Sequence, residues 1–402
     1  MSDGATLDEK IYAISEDKRL SLQDLLDYFM SRGSLRISDL HLKVKLPPVY
    51  RVDGNLQKIK GAPLDKPTIE RFAAALLSEG DLARLKADGA VDASYIDDKL
   101  QFRINVFHDN DGLAIAVRAL ENTILPLEQI GFPNNVWRDI LARQQGLVLL
   151  TGITGAGKST TIASLIDRIA RERPCRIITL EDPIEYRLTS HSAAISQREV
   201  GRDVPSFERG LRDALREDPD VIFVGEMRDR ESTSWTLTAA ETGHLVFSTL
   251  HTRDARGTIT RLLDMFPPMQ QDEIACQLSL GLRYVLCQKL LPRADGNGRV
   301  VAMEVLNNTY ALSNLIRLRK TEQVYSQLQV KTRDLAEERM ITMERHLAML
   351  VASAKVTQAE AEKWANDREA FLDEMRRVDG SVRPRGRYGE ATGPTVSDEG
   401  ER

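Results

Sequence analysis

What the chain lacks narrows it first. Among 402 residues there are three cysteines, Cys175, Cys276 and Cys287, widely separated and without a C-x-x-C pair. A disulfide framework and a four-cysteine zinc site are thereby excluded, and a buried thiol is the expectation for each. No apolar run reaches the ~18 residues of a membrane span, and no charged start leads into an apolar core, so neither a transmembrane segment nor a secretory signal is expected. Aromatic residues are 5% of the chain, the net charge is −5 and the pI is near 5.8, which gives no electrostatic footprint for nucleic acid. What remains, 42% hydrophobic and 29% charged, is ordinary globular composition. At ~100–200 residues per domain it predicts two or three domains. The expected location is the cytoplasm.

Against this background one stretch stands out. Gly152-Ile153-Thr154-Gly155-Ala156-Gly157-Lys158-Ser159 fits the phosphate-loop pattern G-x-x-x-x-G-K-[ST] at every fixed position. The apolar run Gly146–Thr151 precedes it as a buried parallel strand, and Thr160 to Ala170 follows with Ile162, Leu165, Ile166 and Ile169 at helical spacing. Glycines let backbone N–H groups close around phosphate oxygens, and the helix points its positive end at them. Lys158 is expected to reach the outer phosphates of a nucleotide, and the Ser159 hydroxyl to sit on Mg²⁺. A plain glycine-rich turn is the alternative, and the flanking strand and helix argue against it.

The rest of the chain divides around that loop. Residues 1–20 are polar and read as loosely held; Ser21 opens a helix that Gly33 stops. Strands are predicted at Ser38–Val44, Val49–Val52 (with a turn at Asp53-Gly54), Val91–Ile96, Leu100–Phe107 and Leu113–Leu120, with a helix over 68–87. Residues 1–120 thus read as a small α+β domain and 121–133, with Pro126, Gly131 and Pro133, as a linker. From 134 to 306 strands alternate with helices: helix Val136–Gln144, strand Arg176–Leu180, helix Phe207–Glu217, strand Val221–Gly225, a helix over 231–242 and strand Leu245–Leu250. That alternation predicts an α/β fold with a mostly parallel sheet covered on both faces. Beyond Arg256 the pattern reads as helical, broken at Phe266-Pro267-Pro268 and Asp295-Gly296-Asn297-Gly298, with helical stretches over 309–319, 321–330 and 340–376. Residues 307–378 are expected to form a helical region and 379–402 a disordered tail.

Four clusters carry further chemistry. Glu181-Asp182-Pro183-Ile184-Glu185 follows a predicted strand, where carboxylates of an open parallel sheet face the ligand crevice; the two glutamates are suited to orient water, and a polar strand-end loop is the alternative. Val221–Gly225 ends in Glu226, an acid at the position that holds Mg²⁺ in a second nucleotide motif. Glycine stands where many such enzymes have a first acid. His244 and His251 bracket a predicted strand, either as satisfied neutral groups or in contact with the γ-phosphate. Zinc is not expected beside them. Arg103 and Arg118 lie on predicted strands of the first domain, as solvated residues or, in a ring, as arginine fingers.

Taken in order, the phosphate loop, Glu181–Glu185, Arg216-Glu217-Asp218-Pro219-Asp220 into Val224-Gly225-Glu226-Met227-Arg228-Asp229, Ala240–His244 and Ser248–Thr252 resemble the secretion and type IV pilus ATPases. Ser38–Leu42, Pro47-Pro48 and Arg51–Gly54 look like the first domain of that family's PilT retraction branch. The resemblance spans about residues 20–365. It implies a PAS-like first domain, a RecA-like P-loop ATPase domain, a helical C-terminal portion and a homohexamer that converts ATP hydrolysis into force. By position it implies ATP on Gly152 to Thr160, Mg²⁺ at Ser159 and Glu226, and an acidic box of Glu181 and Glu185 with Glu185 as the catalytic carboxylate. His244 and His251 form a histidine box, and Arg103 and Arg118 approach the nucleotide. The implied setting is the cytoplasmic face of the inner membrane, with a pilus platform protein and a paralogous pilus ATPase as partners.

The absent zinc cysteines favour retraction over the extension and type II secretion branches. Ala311-Leu312-Ser313-Asn314-Leu315-Ile316-Arg317-Leu318-Arg319-Lys320 keeps the Asn-Leu-Ile-Arg centre of the retraction motif. It departs at Ser313, Leu318 and Arg319, which makes an accessory PilU-like subunit the alternative.

Overall fold

The computed structural model describes residues 6–15, 18–30, 37–52, 55–96, 100–121, 123–334 and 339–382. The expected stop at Gly33, the turn at Asp53-Gly54 and residues 383–402 of the expected tail lie outside them. Two sheets dominate the described residues.

The larger sheet has seven strands, in the order Ala194–Glu199, Arg176–Glu181, Val221–Val224, Leu245–Leu250, Gly146–Thr151, Leu282–Pro292, Arg299–Asn307. The first six run parallel and the last returns antiparallel. Every residue of Gly146–Thr151 and Leu245–Leu250 is buried, because helices cover both faces. Two apolar cores result, one packing Leu211, Leu237, Ile259 and Leu278 on one face, the other Ile162, Leu165, Ile166 and Ile169 of the helix after the phosphate loop. This is the predicted α/β architecture.

Two parts of that sheet correct the reading from sequence. The segment beyond Arg256 is not helical throughout: Leu282–Pro292 and Arg299–Asn307 form a long antiparallel hairpin about the Asp295–Gly298 turn. Both strands are buried on two faces, so they carry continuous apolar runs whose period does not separate strand from helix. Ala194–Glu199 is a further strand, paired along its whole length with Arg176–Glu181. It is an edge strand, largely polar and only partly buried, so it gives no apolar signal.

The smaller sheet is antiparallel, in the order Asn55–Lys58, Val49–Val52, Ile37–Lys43, Gly112–Glu121, Leu100–Asp109, Ala90–Ile96. One face packs Leu40, Phe102, Ile104 and Val117 against Leu22, Leu25, Phe29 and Phe72 from the helical side. The other face carries Asp39, Arg118, Arg103 and Gln101, the alternation a half-buried sheet imposes. The helix expected over 68–87 is two helices, Lys66–Leu76 and Glu79–Asp88. Ser78 restarts the chain with a capping box to Asp81, and such reciprocal bonds satisfy N-terminal donors a continuous helix would not leave free.

Residues 340–376 likewise resolve into Met343–Ala352, Gln358–Trp364 and the start of Arg368–Val382, which continues past 379. Between the two sheets, Leu127–Ile130 forms a short helix whose Leu127 and Ile130 join the core around the phosphate-loop helix.

Candidate active site

Six parallel strands aim their C-terminal ends at one edge of the larger sheet, where a doubly wound fold places its ligand crevice. The central strand Gly146–Thr151 feeds the phosphate loop, and the loop opens the helix Lys158–Glu172. Gly152 has φ +140°, and a Cβ there would lie 2.4 Å from the Gln288 carbonyl oxygen, so only glycine fits. Gly155 and Gly157 take left-handed φ of +79° and +85°. No side chain caps the helix, and its first-turn N–H groups open onto the cavity lined by Thr154, Gly155, Ala156, Gly157, Lys158, Ser159 and Thr160. The cavity holds about 550 Å³, within the usual range for ligand sites.

Lys158 is 8% exposed and donates to the Gly152 carbonyl at 2.7 Å and the Ile153 carbonyl at 3.3 Å. Burial lowers its pKa, and the nearby Glu226 and Glu185 oppose that shift. The Thr160 hydroxyl lies 2.8 Å from the Tyr186 hydroxyl, tying the helix to the acidic loop.

Four carboxylates line the same cavity, Asp182 and three glutamates that each have a different environment. Glu181, 7% exposed at the end of its strand, has its carboxyl pushed up to about 7 by burial. It accepts from the Thr179 hydroxyl at 2.7 Å and the Gln197 amide at 3.2 Å, which act against the shift. Glu185 stands on the loop beyond, 3.3 Å from the Arg103 guanidinium. Glu226 accepts from Arg228 at 2.7 Å and lies 3.2 Å from His251 Nε2. Arg228 also reaches Asp182 at 3.2 Å, so one guanidinium joins two strand-end loops. Before Glu226, a Cβ on Gly225 would sit 3.2 Å from the Leu180 carbonyl oxygen and 3.4 Å from Glu181 Cα.

Two expected members are elsewhere in the chain. His244 precedes the strand that His251 follows, so it occupies the opposite edge of the sheet, roughly 20 Å away at the rise of an extended strand. Its Nδ1 lies 2.9 Å from the Ala239 carbonyl, in the turn that links helix to strand. Arg118 is the cross-strand partner of Arg103 but turns one strand further away, to Asp39 at 2.8 Å. Asp39 offers a carboxylate, while Arg103 opposite offers only like charge.

Reading the sequence missed Gln197, Arg228 and Tyr186. Arg228 sits inside the quoted stretch ending in Asp229 and was findable; Gln197 lies on the unrecognised edge strand. Mg²⁺ favours few protein oxygens beside phosphate. Ser159 and Glu226 on one cavity fit that demand, although no cluster of three or more His, Cys, Asp or Glu side chains arranged for a metal occurs among the described residues.

The sequence profile of a family described as type II/IV secretion system protein matches residues 24–382. The type IV pilus retractation ATPase PilT of Pseudomonas aeruginosa is 38% identical over 353 residues, covering 88% of this chain and 100% of that protein. The type IV pilus ATPase PilU of the same organism is 31% identical over 346 residues, covering 85% and 88%. A crystal structure of the pilus retraction motor PilT with bound ADP superposes with a TM-score of 0.80 at 40% identity, over 88% of this chain and 99% of that one.

Proposed function

The chain belongs to the type II/IV secretion system protein family, and from that premise we propose that it is a PilT-like, ATP-hydrolysing motor that drives retraction of a type IV pilus. One observation carries the reading: Lys158, Ser159, Glu185, Glu226 and His251 line a single cavity at the C-terminal edge of a parallel sheet. In this reading the β- and γ-phosphates of ATP lie on the first-turn N–H groups of the Lys158–Glu172 helix. The Lys158 ammonium exchanges the loop carbonyls for the outer phosphate oxygens. Ser159 and Glu226 are the residues that hold Mg²⁺, which when bound neutralises phosphate charge. Glu185 orients the attacking water, and His251 holds Glu226 from the side away from Arg228. The protein's contribution is mainly positioning and charge complementarity, as phosphoryl transfer requires.

We assign residues 1–120 to a PAS-like α+β domain, 134–306 to the RecA-like core and 121–133 to the hinge, with bending concentrated before the anchored Leu127. Nucleotide-driven rotation of the first domain about this hinge, within a homohexamer, supplies the stroke. The assembly works on the cytoplasmic face of the inner membrane against a platform protein; among the described residues no helix is long and apolar enough to cross a membrane. Nucleic acid is not a partner of so acidic a chain.

A second reading, an accessory PilU-like subunit that works beside a paralogous ATPase, draws on the departures at Ser313, Leu318 and Arg319. Ser313 donates to the Ser279 carbonyl at 2.8 Å and Arg319 pairs with Asp272 at 3.0 Å, so both are spent on local packing. Steady-state ATPase measurements with mass determination separate the readings. A hexamer whose turnover falls at least ~100-fold in Lys158→Ala and in Glu185→Gln supports the motor. A hexamer that binds ATP without turning it over supports the accessory subunit.

A further inference from the structure

The acidic loop that carries Glu185 is held on two sides. From its own sheet, Gln197 donates to Glu181 at 3.2 Å and to the Tyr186 carbonyl at 2.9 Å, and its Oε1 accepts from the Leu188 N–H at 2.8 Å. Glu199 accepts from the Ile184 N–H at 3.2 Å. The other side comes from the smaller sheet. Ser94, Gln101 and Arg103 stand on one face of two paired strands, with Ser94 and Arg103 directly opposite each other and Gln101 two residues before Arg103. Ser94 donates to Glu199 at 3.3 Å, Gln101 donates through Nε2 to the Ile184 carbonyl, and Arg103 meets Glu185 at 3.3 Å. Three neighbours on one rigid face thus grip residues 184, 185 and 199.

Gln101 is the unusual member. It lies on the outward face of its sheet yet is 1% exposed, because the acidic loop covers it. Only Nε2 can donate to a carbonyl, which fixes the amide's orientation and leaves Oε1 buried with no partner among the described residues. A half-satisfied buried amide destabilises the fold relative to an apolar residue of the same shape. Its placement is accounted for by the atom it does hold, the carbonyl one peptide before Glu185.

We propose that Gln101 is a positioning residue for ATP hydrolysis: its amide fixes the Ile184–Glu185 peptide, so Glu185 meets the attacking water only when the smaller sheet is docked on the acidic loop. The proposal rests on the reading of Glu185 as the carboxylate that orients water. It makes the contact between the sheets part of the chemistry, since undocking removes Gln101, Ser94 and Arg103 from the loop together. Nucleotide binding, made by residues 152–160, does not pass through Gln101.

The test uses the full-length purified protein. Gln101→Met keeps length and removes the donor, and should lower kcat ~10- to 100-fold, as a misplaced reacting group does. KM for ATP should stay within about twofold and the thermal midpoint should be unchanged or higher. Gln101→Glu adds a pH readout: a neutral carboxyl O–H donates to the Ile184 carbonyl and a carboxylate does not, so kcat relative to wild type should rise as pH falls. Wild-type kcat in Gln101→Met, or losses of kcat, affinity and thermal midpoint together, overturns the proposal, as does a pH-independent ratio in Gln101→Glu. Glu185→Gln in the same assay locates a failure: if it keeps wild-type turnover the reading of Glu185 fails and this proposal with it, whereas if it is inactive and Gln101→Met is not, the proposal alone fails.

Discussion

The two edges of the seven-stranded sheet are built from the same strands and do opposite things. At the C-terminal edge the chain leaves each strand into a loop that presents chemistry: Gly152 to Lys158, Glu181, Glu226, His251. Some of the buried polar atoms without a partner among the described residues lie on the same level, among them Gln288 Oε1 and Glu304 Oε2, with Gln101 Oε1 against the acidic loop. The N-terminal edge is closed. There the Gly146 N–H donates to the His244 carbonyl at 2.9 Å, the Leu245 N–H to the Asp220 carbonyl at 3.0 Å, and the Arg176 N–H to the Asp220 carboxylate at 2.7 Å. Backbone demands are met by short turns, although the Asn308 Oδ1 and Thr309 Oγ1 atoms beside this edge are also buried without a partner among the described residues. One edge presents reactive groups; the other closes the strand starts and holds them in register.

The sharpest test of that contrast is to remove the principal cation of the reactive edge. Lys158→Ala should lower ATP turnover by at least ~100-fold, read by steady-state kinetics, with little effect on the thermal midpoint because the ammonium bonds only its own loop. Next come the two histidines, which sequence spacing groups together and the sheet separates. His251→Ala should lower kcat about tenfold through loss of the contact with Glu226, whereas His244→Ala should leave kcat within about twofold. Equal losses in the two variants would break the comparison and require the far edge of one chain to serve the site of another.

A third test concerns stability. Burial, with Glu344 and Asp254 nearby, pushes the Glu304 carboxyl up to about 8. Lys289 faces the same group from the neighbouring strand. The folded protein therefore holds this proton more tightly than the unfolded chain does. Its contribution is fully present below about 4.5 and is lost as pH rises to about 8. Thermal midpoints measured from pH 5 to pH 8 should fall more in wild type than in Glu304→Gln, with a difference on the order of 2–4 kcal/mol across the range. Parallel curves for the two proteins would remove Glu304 from the account.

Legibility in the sequence followed the same division. The phosphate loop announced itself because its glycines and lysine are required at fixed spacing, and the strands beside it because burial on both faces makes them uniformly apolar. Leu282–Pro292 and Arg299–Asn307 were obscured for that very reason, since a continuous apolar run does not distinguish strand from helix. The edge strand Ala194–Glu199 was hidden by its polarity, and with it Gln197. The histidines were misgrouped by counting residues without distance: seven residues of extended chain span roughly 20 Å. Gln101 had no local signal, because its importance comes from a contact with residue 184.

Gly225 carries a consequence for the lineage of such chains. Where related nucleotide motifs have a first acid, a glycine codon lies a single nucleotide change from aspartate or glutamate, so the mutation must arise repeatedly. Here the new Cβ would lie 3.2 Å from the Leu180 carbonyl oxygen, so the strand end that holds an acid already in use would have to give slightly. The second acid is within genetic reach but meets a tight backbone contact.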